Sequence, residues 1–580
     1  MSTSKPTNPT RRSLLVAGAV GATLSGQKVL AQASDNNDSS SPPLSPEIVA
    51  AAEKMLPISY SDAEREQLLH GFEGQLQAIN ELRSQNLENQ LAPSQVFNPL
   101  LPGKARTQQE SVSSVSTPTL KTAPTNSKKI AFASLSELGH WMRYDGLSSE
   151  KLTGIYLNRI QKYEPKLESF ITVTASLAME QAKKADADLA KGKDHGPLHG
   201  MPYGLKDLFD TKGIKTTWGA MPYKDRIAKS DASIVKKLEE SGAVLLGKTT
   251  CGAIAYGDIW FGGKTRNPWN LAEGSSGSSA GSASSTAAGL CSFSIGTETL
   301  GSIVSPSNRC GATGLRPTFG RVSRAGAMAL CWSLDKVGPI CRSAEDTALV
   351  LAALNGFDAT DPGSIDMGFS YKPDIDPKKI TIGYDQKWFA GDGNRAIDRQ
   401  ALQGLIDMGV STKKVSLPDL PYGALFLSLI AESAAAFEEL TLSNRDDLMV
   451  WQDDNAWPNS WRKIRFLSAV DYVQLDRLRR KIMIEMDAVF SGIDMLVTPN
   501  FAANLLTITN FTGHPCLTVR AGFYNSPVRD GQNTDKNSKK TNVPHNISLI
   551  GNLFDEGRLC ALGGALERKL DVFKQTPPGF

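Results

Sequence analysis

Between Ser276 and Gly289 the chain carries no side chain larger than threonine. A Ser/Gly run of this kind is ordinarily a flexible loop, because it has little apolar surface to bury. Here it continues into Ala287-Ala288-Gly289-Leu290, and that apolar end argues against a free linker. The fold must therefore place this segment beside its core. Length allows it. The 580 residues are about four times a common domain of ~150, enough for several domains or one large core with extensions. With 40% hydrophobic and 21% charged residues, such a chain can bury a large core without disulfides or metal. Its 63 Lys and Arg stand against 60 Asp and Glu, so no global basic field points to nucleic acid. Past the N-terminus no uninterrupted apolar stretch is long enough for a transmembrane helix.

Residues 1–33 read as a targeting segment. Arg11-Arg12 precedes the apolar run Leu14 to Ala22, and Ala31-Gln32-Ala33 offers small residues at the cleavage positions. Thr10-Arg11-Arg12-Ser13-Leu14-Leu15 resembles a bacterial twin-arginine signal, whose route carries folded proteins. The expected location is periplasmic or secreted. Cleavage after Ala33 would remove Lys5, Arg11, Arg12 and Lys28 and no acid, taking the formal charge from +3 to −1. All seven cysteines lie beyond that cut, none in a C-x-x-C spacing, and they read as small core residues.

Residues 34–103 are expected to hold a polar spacer and a helical N-terminal appendage. Ser61 and Glu64 form a capping box there, followed by apolar residues at helical spacing. Residues 104–128, rich in Ser, Thr and Gln, read as a polar linker. From 129 to 580 short apolar strands alternate with amphipathic helices, which implies an α/β fold: a mixed β-sheet core covered by helices. Ala243 to Leu246 and Ile380 to Gly383 read as strands, Ser233 to Ser241 as a helix, and 525–544 as a polar surface insertion.

Two motif matches do not survive their context. Gly242 to Thr249 satisfies G-x-x-x-x-G-K-[ST], but its four intervening residues are themselves the apolar strand, so a phosphate cradle is not expected. Gly277-Ser278-Ser279-Ala280-Gly281 satisfies G-x-S-x-G. A nucleophile elbow at Ser279 would need a buried strand before it, where Asn267 to Ser276 reads as a polar loop. Its base would be His514 or His545. His199 reads as structural.

Three segments form a more specific constellation. They are Gly200-Met201-Pro202-Tyr203-Gly204-Leu205-Lys206-Asp207, Ser276 to Ser282, and Gly296-Thr297-Glu298-Thr299-Leu300-Gly301-Ser302-Ile303-Val304-Ser305-Pro306. Cys310 to Thr318, Ser333 to Pro339 and Gly551 to Glu556 follow in order. Together they resemble the amidase signature family of serine hydrolases over roughly residues 130–575. That resemblance implies a large mixed sheet covered by helices. It implies Lys206 as base, Ser278 as bridging serine with a cis peptide bond, and Ser302 as nucleophile. It implies an oxyanion hole of backbone amides, here Thr299, Leu300, Gly301 and Ser302. No cofactor or metal is implied. The partner is a small-molecule amide, with no nucleic acid and no stable membrane insertion, a homodimer being left open. The family includes one component of the tRNA-dependent amidotransferase, a role from which an export signal would remove this chain.

The chain departs from the family pattern at three places. Leu300 replaces the first of two glycines, Val304 replaces an Arg, and Glu298 stands where Asp is common. None of these deletes a catalytic side chain. The chemistry suits the residues. A serine hydroxyl needs a base, and a lysine with an ordinary pKa of about 10.4 becomes one only when burial favours its neutral form. Asp207 should not prevent this, because neighbouring strand residues point to opposite faces. Tyr472 and the Trp451, Trp457 and Trp461 cluster either line an apolar pocket or pack helices onto the core. The rival readings are an α/β-hydrolase esterase using Ser279 and a silent binding protein on an amidase scaffold.

Overall fold

The computed structural model describes residues 44–56, 58–104, 108–117, 122–530 and 533–580. The targeting segment 1–33 and most of the polar spacer lie outside them. The described chain divides into two compact units, one ending at Gln75 and one from Leu76 to Phe580. In the first unit, helices Pro46–Glu53 and Asp62–Leu69 are joined by Arg65, whose guanidinium pairs with Glu53 at 2.8 Å. Ser61 and Glu64 form the expected capping box.

The second unit is built on one sheet of eleven strands. In chain order these are β1 (Phe170–Val173), β2 (Pro202–Lys206), β3 (Val244–Thr249), β4 (Phe293–Glu298), β5 (Thr313–Arg316) and β6 (Lys336–Cys341). There follow β7 (Thr381–Tyr384), β8 (Ser411–Lys414), β9 (Met495–Pro499), β10 (Cys516–Ser526) and β11 (Thr541–Gly551). Their spatial order is β8-β7-β9-β11-β10-β5-β6-β4-β2-β3-β1. The sheet is mixed. β2 runs parallel to both β3 and β4, and β7 parallel to β8 and β9, while the remaining pairs are antiparallel. Leu205, Phe293, Ile295, Leu315, Leu517 and Leu549 are fully buried along its middle. A central strand buried on both faces reads as a continuous apolar run, which is why β3 imitated a phosphate-loop motif. Lys248, the lysine of that imitation, is buried 3.7 Å from Asp207.

The small-residue run is not a loop. Its second half is helix α1 (Ala280–Ala287), and every residue of it is buried. Small side chains are what allow a helix to run through the centre of the protein. A Cβ on Gly281 would stand 2.1 Å from the Ser169 carbonyl oxygen and 2.4 Å from the Thr250 amide. The hydroxyls do not go unsatisfied: Ser282 donates to the Ile295 carbonyl at 3.0 Å and Ser284 to that of Arg266 at 2.7 Å. A second short helix, α2 (Val304–Cys310), follows β4 after a five-residue turn.

Two expectations need correction. The stretch Asn267 to Ser276 is not simply a polar loop. Arg266–Asn267 and Asn270–Gly274 pair as a small ribbon, and buried Glu273 holds Arg529 at 2.7 Å. That contact also fastens the polar insertion after β10 to the domain. Within the stretch 104–128, read as a polar linker, the described residues 108–117 are fastened to the domain. Val112 and Ser113 pair with Ser370 and Tyr371, and Ser116 donates its amide and its hydroxyl to the Glu345 carboxylate, each at 2.7 Å. These bonds use backbone and single polar side chains, so no apolar pattern announces them.

The contact at Gly281 generates a prediction. Gly281→Ala should lower stability by at least about 1–3 kcal/mol, the usual cost of overpacking, because backbone rather than a flexible side chain must yield. A urea unfolding midpoint unchanged from the parent would refute it.

Candidate active site

Lys206 is the last residue of β2 and is fully buried. Its Nζ lies 2.8 Å from Ser278 Oγ, 2.8 Å from Thr297 Oγ1, 3.1 Å from Ser279 Oγ and 3.4 Å from the Thr297 carbonyl oxygen. All four are neutral oxygens. Burial without a carboxylate in contact pushes the ammonium down to about 8. Asp207 turns away, as the strand pleat requires, and its carboxylate accepts from the Thr217 amide at 2.9 Å.

The Gly277–Ser278 peptide is cis. Ser278 sits in the loop before α1, on the side facing Lys206. Ser279, the residue of the elbow motif, is a brace instead. It donates to the Thr297 carbonyl at 3.1 Å and accepts from the Thr297 amide at 3.2 Å, while Lys206 Nζ approaches its remaining lone pair. The two histidines that would serve an elbow have other partners. His514 Nδ1 lies 2.7 Å from Thr512 Oγ1, and His545 Nε2 lies 2.8 Å from Asp398. His199 is structural in place: it is buried and its Nε2 lies 2.9 Å from the Ala185 carbonyl oxygen.

Ser302 stands in the turn between β4 and α2 and keeps 7% of its surface exposed. The turn and the start of α2 are each tied to the cis loop. The Ser279 amide donates to the Ser302 carbonyl at 3.2 Å, and the Ser276 and Ser305 hydroxyls meet at 2.7 Å. Gly301 has φ +91°, a conformation that suits glycine. Among the described residues, the amides of Thr299, Leu300, Gly301 and Ser302 donate to no carbonyl of the chain. Four consecutive amides without a carbonyl partner, beside Ser302, are a donor set of the kind an oxyanion needs.

Glu298 is the residue that holds this turn. Its Oε2 accepts from the amides of Ile303 and Val304 at 2.8 and 2.9 Å. Its Oε1 accepts from Arg316 at 2.8 Å and from Asn510 at 2.9 Å. Burial alone would raise this carboxyl. Arg316 and the Val304 amide outweigh that and hold it down at about 2. In the sequence Glu298 stands out only as a departure from Asp, and Thr297, Ser279, Arg316 and Asp335 are missed as supports. Asp335 accepts from Thr299 Oγ1 at 2.6 Å. Nothing in spacing marks these residues, because they meet only through the sheet.

The aromatic cluster packs helices. Trp457 donates to the Ile254 carbonyl at 2.8 Å, and Trp461 stacks on Trp457 and Phe437. Burial raises all seven cysteine thiols, which leaves them poor nucleophiles. Among the described residues no His, Cys, Asp and Glu group could hold a metal, and no helix is long and apolar enough to cross a membrane.

Removing the charge on Glu298 should expose how much rests on it. Glu298→Gln leaves Arg316 buried without its counter-charge, and stability should fall by about 3–5 kcal/mol. A melting temperature equal to the parent's would show that the pair is not needed.

Comparison with known proteins agrees with this geometry. A family model described as Amidase matches residues 151–560. The A component of the glutamyl-tRNA(Gln) amidotransferase of Pseudomonas entomophila is 34% identical over 495 residues, covering 77% of this chain and 99% of that protein. The native peptide amidase of Stenotrophomonas maltophilia superposes with a TM-score of 0.66 at 27% identity, over 77% of this chain and 98% of its own. An amidase family protein from Bacillus anthracis gives 0.67 at 27% identity, over 78% and 94%. A buried lysine on a cis serine, a free-amide turn bearing a second serine, and relatives matched nearly end to end lead to one assignment: the chain belongs to the amidase-signature family of Ser-cisSer-Lys hydrolases.

Proposed function

We propose that this protein is an exported serine amidohydrolase that cleaves a linear carboxamide to an acid and ammonia or an amine. Lys206 is the base, Ser278 the proton relay and Ser302 the nucleophile. The observation that carries the reading is a fully buried lysine, touching only neutral oxygens, 2.8 Å from the cis-serine hydroxyl.

A neutral lysine has two N–H hydrogens and one lone pair. Thr297 and Ser279 take the hydrogens, which leaves the lone pair for Ser278. Lys206 then accepts the Ser278 proton as Ser278 accepts that of Ser302. Ser302 Oγ bonds to the amide carbon, and the carbonyl oxygen becomes an oxyanion held by the amides of Thr299 to Ser302. One such donor is typically worth roughly 3–4 kcal/mol. When the C–N bond breaks, Ser278 hands its proton to the leaving nitrogen and Lys206 returns one to Ser278. Water attacks the acyl-enzyme through the same relay, and Ser302 regains its proton. Esters would react by the same route.

The departures at Leu300 and Glu298 fit this scheme. An oxyanion hole made of amides is indifferent to the Leu300 side chain, and Glu298 supports the turn as a carboxylate there must. Relatives that serve glutamyl-tRNA(Gln) amidation share the machinery, but the N-terminal signal favours a small amide outside the cytoplasm over that role. No nucleic acid is proposed as partner.

The test needs no substrate. The mature protein is treated with a fluorophosphonate and the adduct mapped by mass spectrometry, which also reads whether the chain starts after Ala33. We expect an adduct on Ser302, slowed at least 100-fold in Lys206→Ala by loss of the base. An adduct on Ser279, or one indifferent to Lys206, would overturn the assignment. The labelling rate should also rise with pH through about 8 and level off above it, because only neutral Lys206 accepts a proton. A rate flat from pH 6 to pH 10 would show that Lys206 is not the base.

A further inference from the structure

A cavity of about 520 Å³ lies against β4 and the turn that follows it. Thr297 and Thr299 form its inner wall. Thr297 Oγ1 is the group 2.8 Å from Lys206 Nζ, and Thr299 begins the run of free amides before Ser302. The cavity therefore starts one side chain from the proposed chemistry. Its volume falls within the range of roughly 300–1,000 Å³ that small-molecule sites occupy.

The outer wall comes from an unexpected part of the chain. Gln90 and Ala92 line it, well before residue 151 where the family match begins. They are held in place by Asn89. Its Nδ2 donates to the carbonyls of Ala329 and Ala436 at 2.9 and 3.1 Å, and its Oδ1 accepts from the Ala329 amide at 2.9 Å. Its own carbonyl accepts from Trp332 Nε1 at 3.1 Å. Further along, Phe97 lies edge-on to Phe319 at 5.0 Å and under the Arg479 guanidinium. The segment from Asn89 to Phe97 is a strap fixed across the 329–333 loop.

The charges around the cavity are largely spoken for. Arg324 grips Asp361 through two nitrogens, at 3.0 and 2.8 Å. Asp335 takes the Thr299 hydroxyl and the amides of Leu330 and Cys331. Buried Lys336 donates to the Leu334 carbonyl, Asp231 accepts from the Lys212 amide, and Asp358 accepts from the Ser323 and Thr360 hydroxyls. Lys236 sits at the exposed rim. The lining carries hydrogen-bonded charges of both signs, with no excess of one sign to select an ion, and its dipoles and hydroxyls suit a polar, uncharged chain.

We propose that this cavity is a subsite for a polar, uncharged arm of an extended amide substrate, and that the strap Asn89–Ala92 sets how long an arm it admits. The proposal rests on Ser302 as nucleophile, and the experiment separates the two. Fluorophosphonates carrying oligoethylene glycol arms of increasing length are reacted with the full-length mature protein, and the labelling rate of Ser302 is measured for each. Ala92→Trp should slow the longest arm at least about tenfold more than the shortest, a discrimination that pocket contacts commonly reach. Asn89→Ala, which frees the strap, should shift the ratio of long-arm to short-arm rates in the opposite direction. Should Ala92→Trp fail to fold, Gln90→Trp at the exposed edge of the wall gives the same readout. Equal slowing at every arm length, or an unchanged length profile in both variants, overturns the subsite alone. A parent never labelled at Ser302 overturns the function, and the subsite with it.

Discussion

One buried carboxylate organises the catalytic end of the sheet. Glu298 closes β4, and the chain must then turn sharply to present Ser302 before α2 begins. Its two oxygens satisfy the amides of Ile303 and Val304, the Arg316 guanidinium and the Asn510 side chain. Taking a carboxylate and a guanidinium fully out of water is expensive, and the attraction between them offsets this only when the remaining lone pairs and hydrogens find partners. Arg316 meets most of that condition by donating also to Thr509 Oγ1 and the His514 carbonyl, both at 2.8 Å, its Nε alone being left without a hydrogen-bond partner. The turn is thus fastened to β5 and to the segment after β9. With the amides of Ile303 and Val304 occupied by Glu298, those of Thr299 to Ser302 stay free and point elsewhere.

The lysine on the neighbouring strand follows the opposite logic. Glu298 is kept charged by a partner, whereas burial without one pushes the Lys206 ammonium down to about 8. The two sit on strands two places apart in sequence order but adjacent in the sheet, since β2 and β4 are hydrogen-bonded neighbours. Parallel pairing of these strands brings the ends of both to one edge, where the cis loop of Ser278 crosses. The site is therefore a property of sheet order, and the three segments that form it are far apart in the chain.

Much of this was legible in the residues. Three ordered segments named Lys206, Ser278 and Ser302, of which the structure brings the first two to 2.8 Å and ties the Ser302 turn to the cis loop, and alternation of strands and helices announced a mixed sheet. The Ser61 and Glu64 capping box needed only local spacing. The misses share a cause. Sequence context already sets Ser279 aside as an elbow, but its role as a brace on Thr297 shows only in three dimensions. Residues 104–128 read as a linker, because the backbone pairing of Val112 and Ser113 leaves no apolar trace. The Asn267–Ser276 stretch looked like a loop because its buried carboxylate, Glu273, meets Arg529 from far along the chain. Asn89 carries four hydrogen bonds across the 329–332 and 436 positions, none of which a polar turn residue would suggest.

The seven cysteines of the described domain are all unpaired and all buried. They are distributed over strands, helices and loops of one core, so an unfolded or half-folded chain would expose several at once. In an oxidising compartment such a chain could cross-link wrongly before its sheet closed. A finished core shields every thiol from oxidant. For a protein proposed to leave the cytoplasm, this makes the order of events a chemical matter: folding in a reducing environment first and transport afterwards keeps seven thiols out of reach.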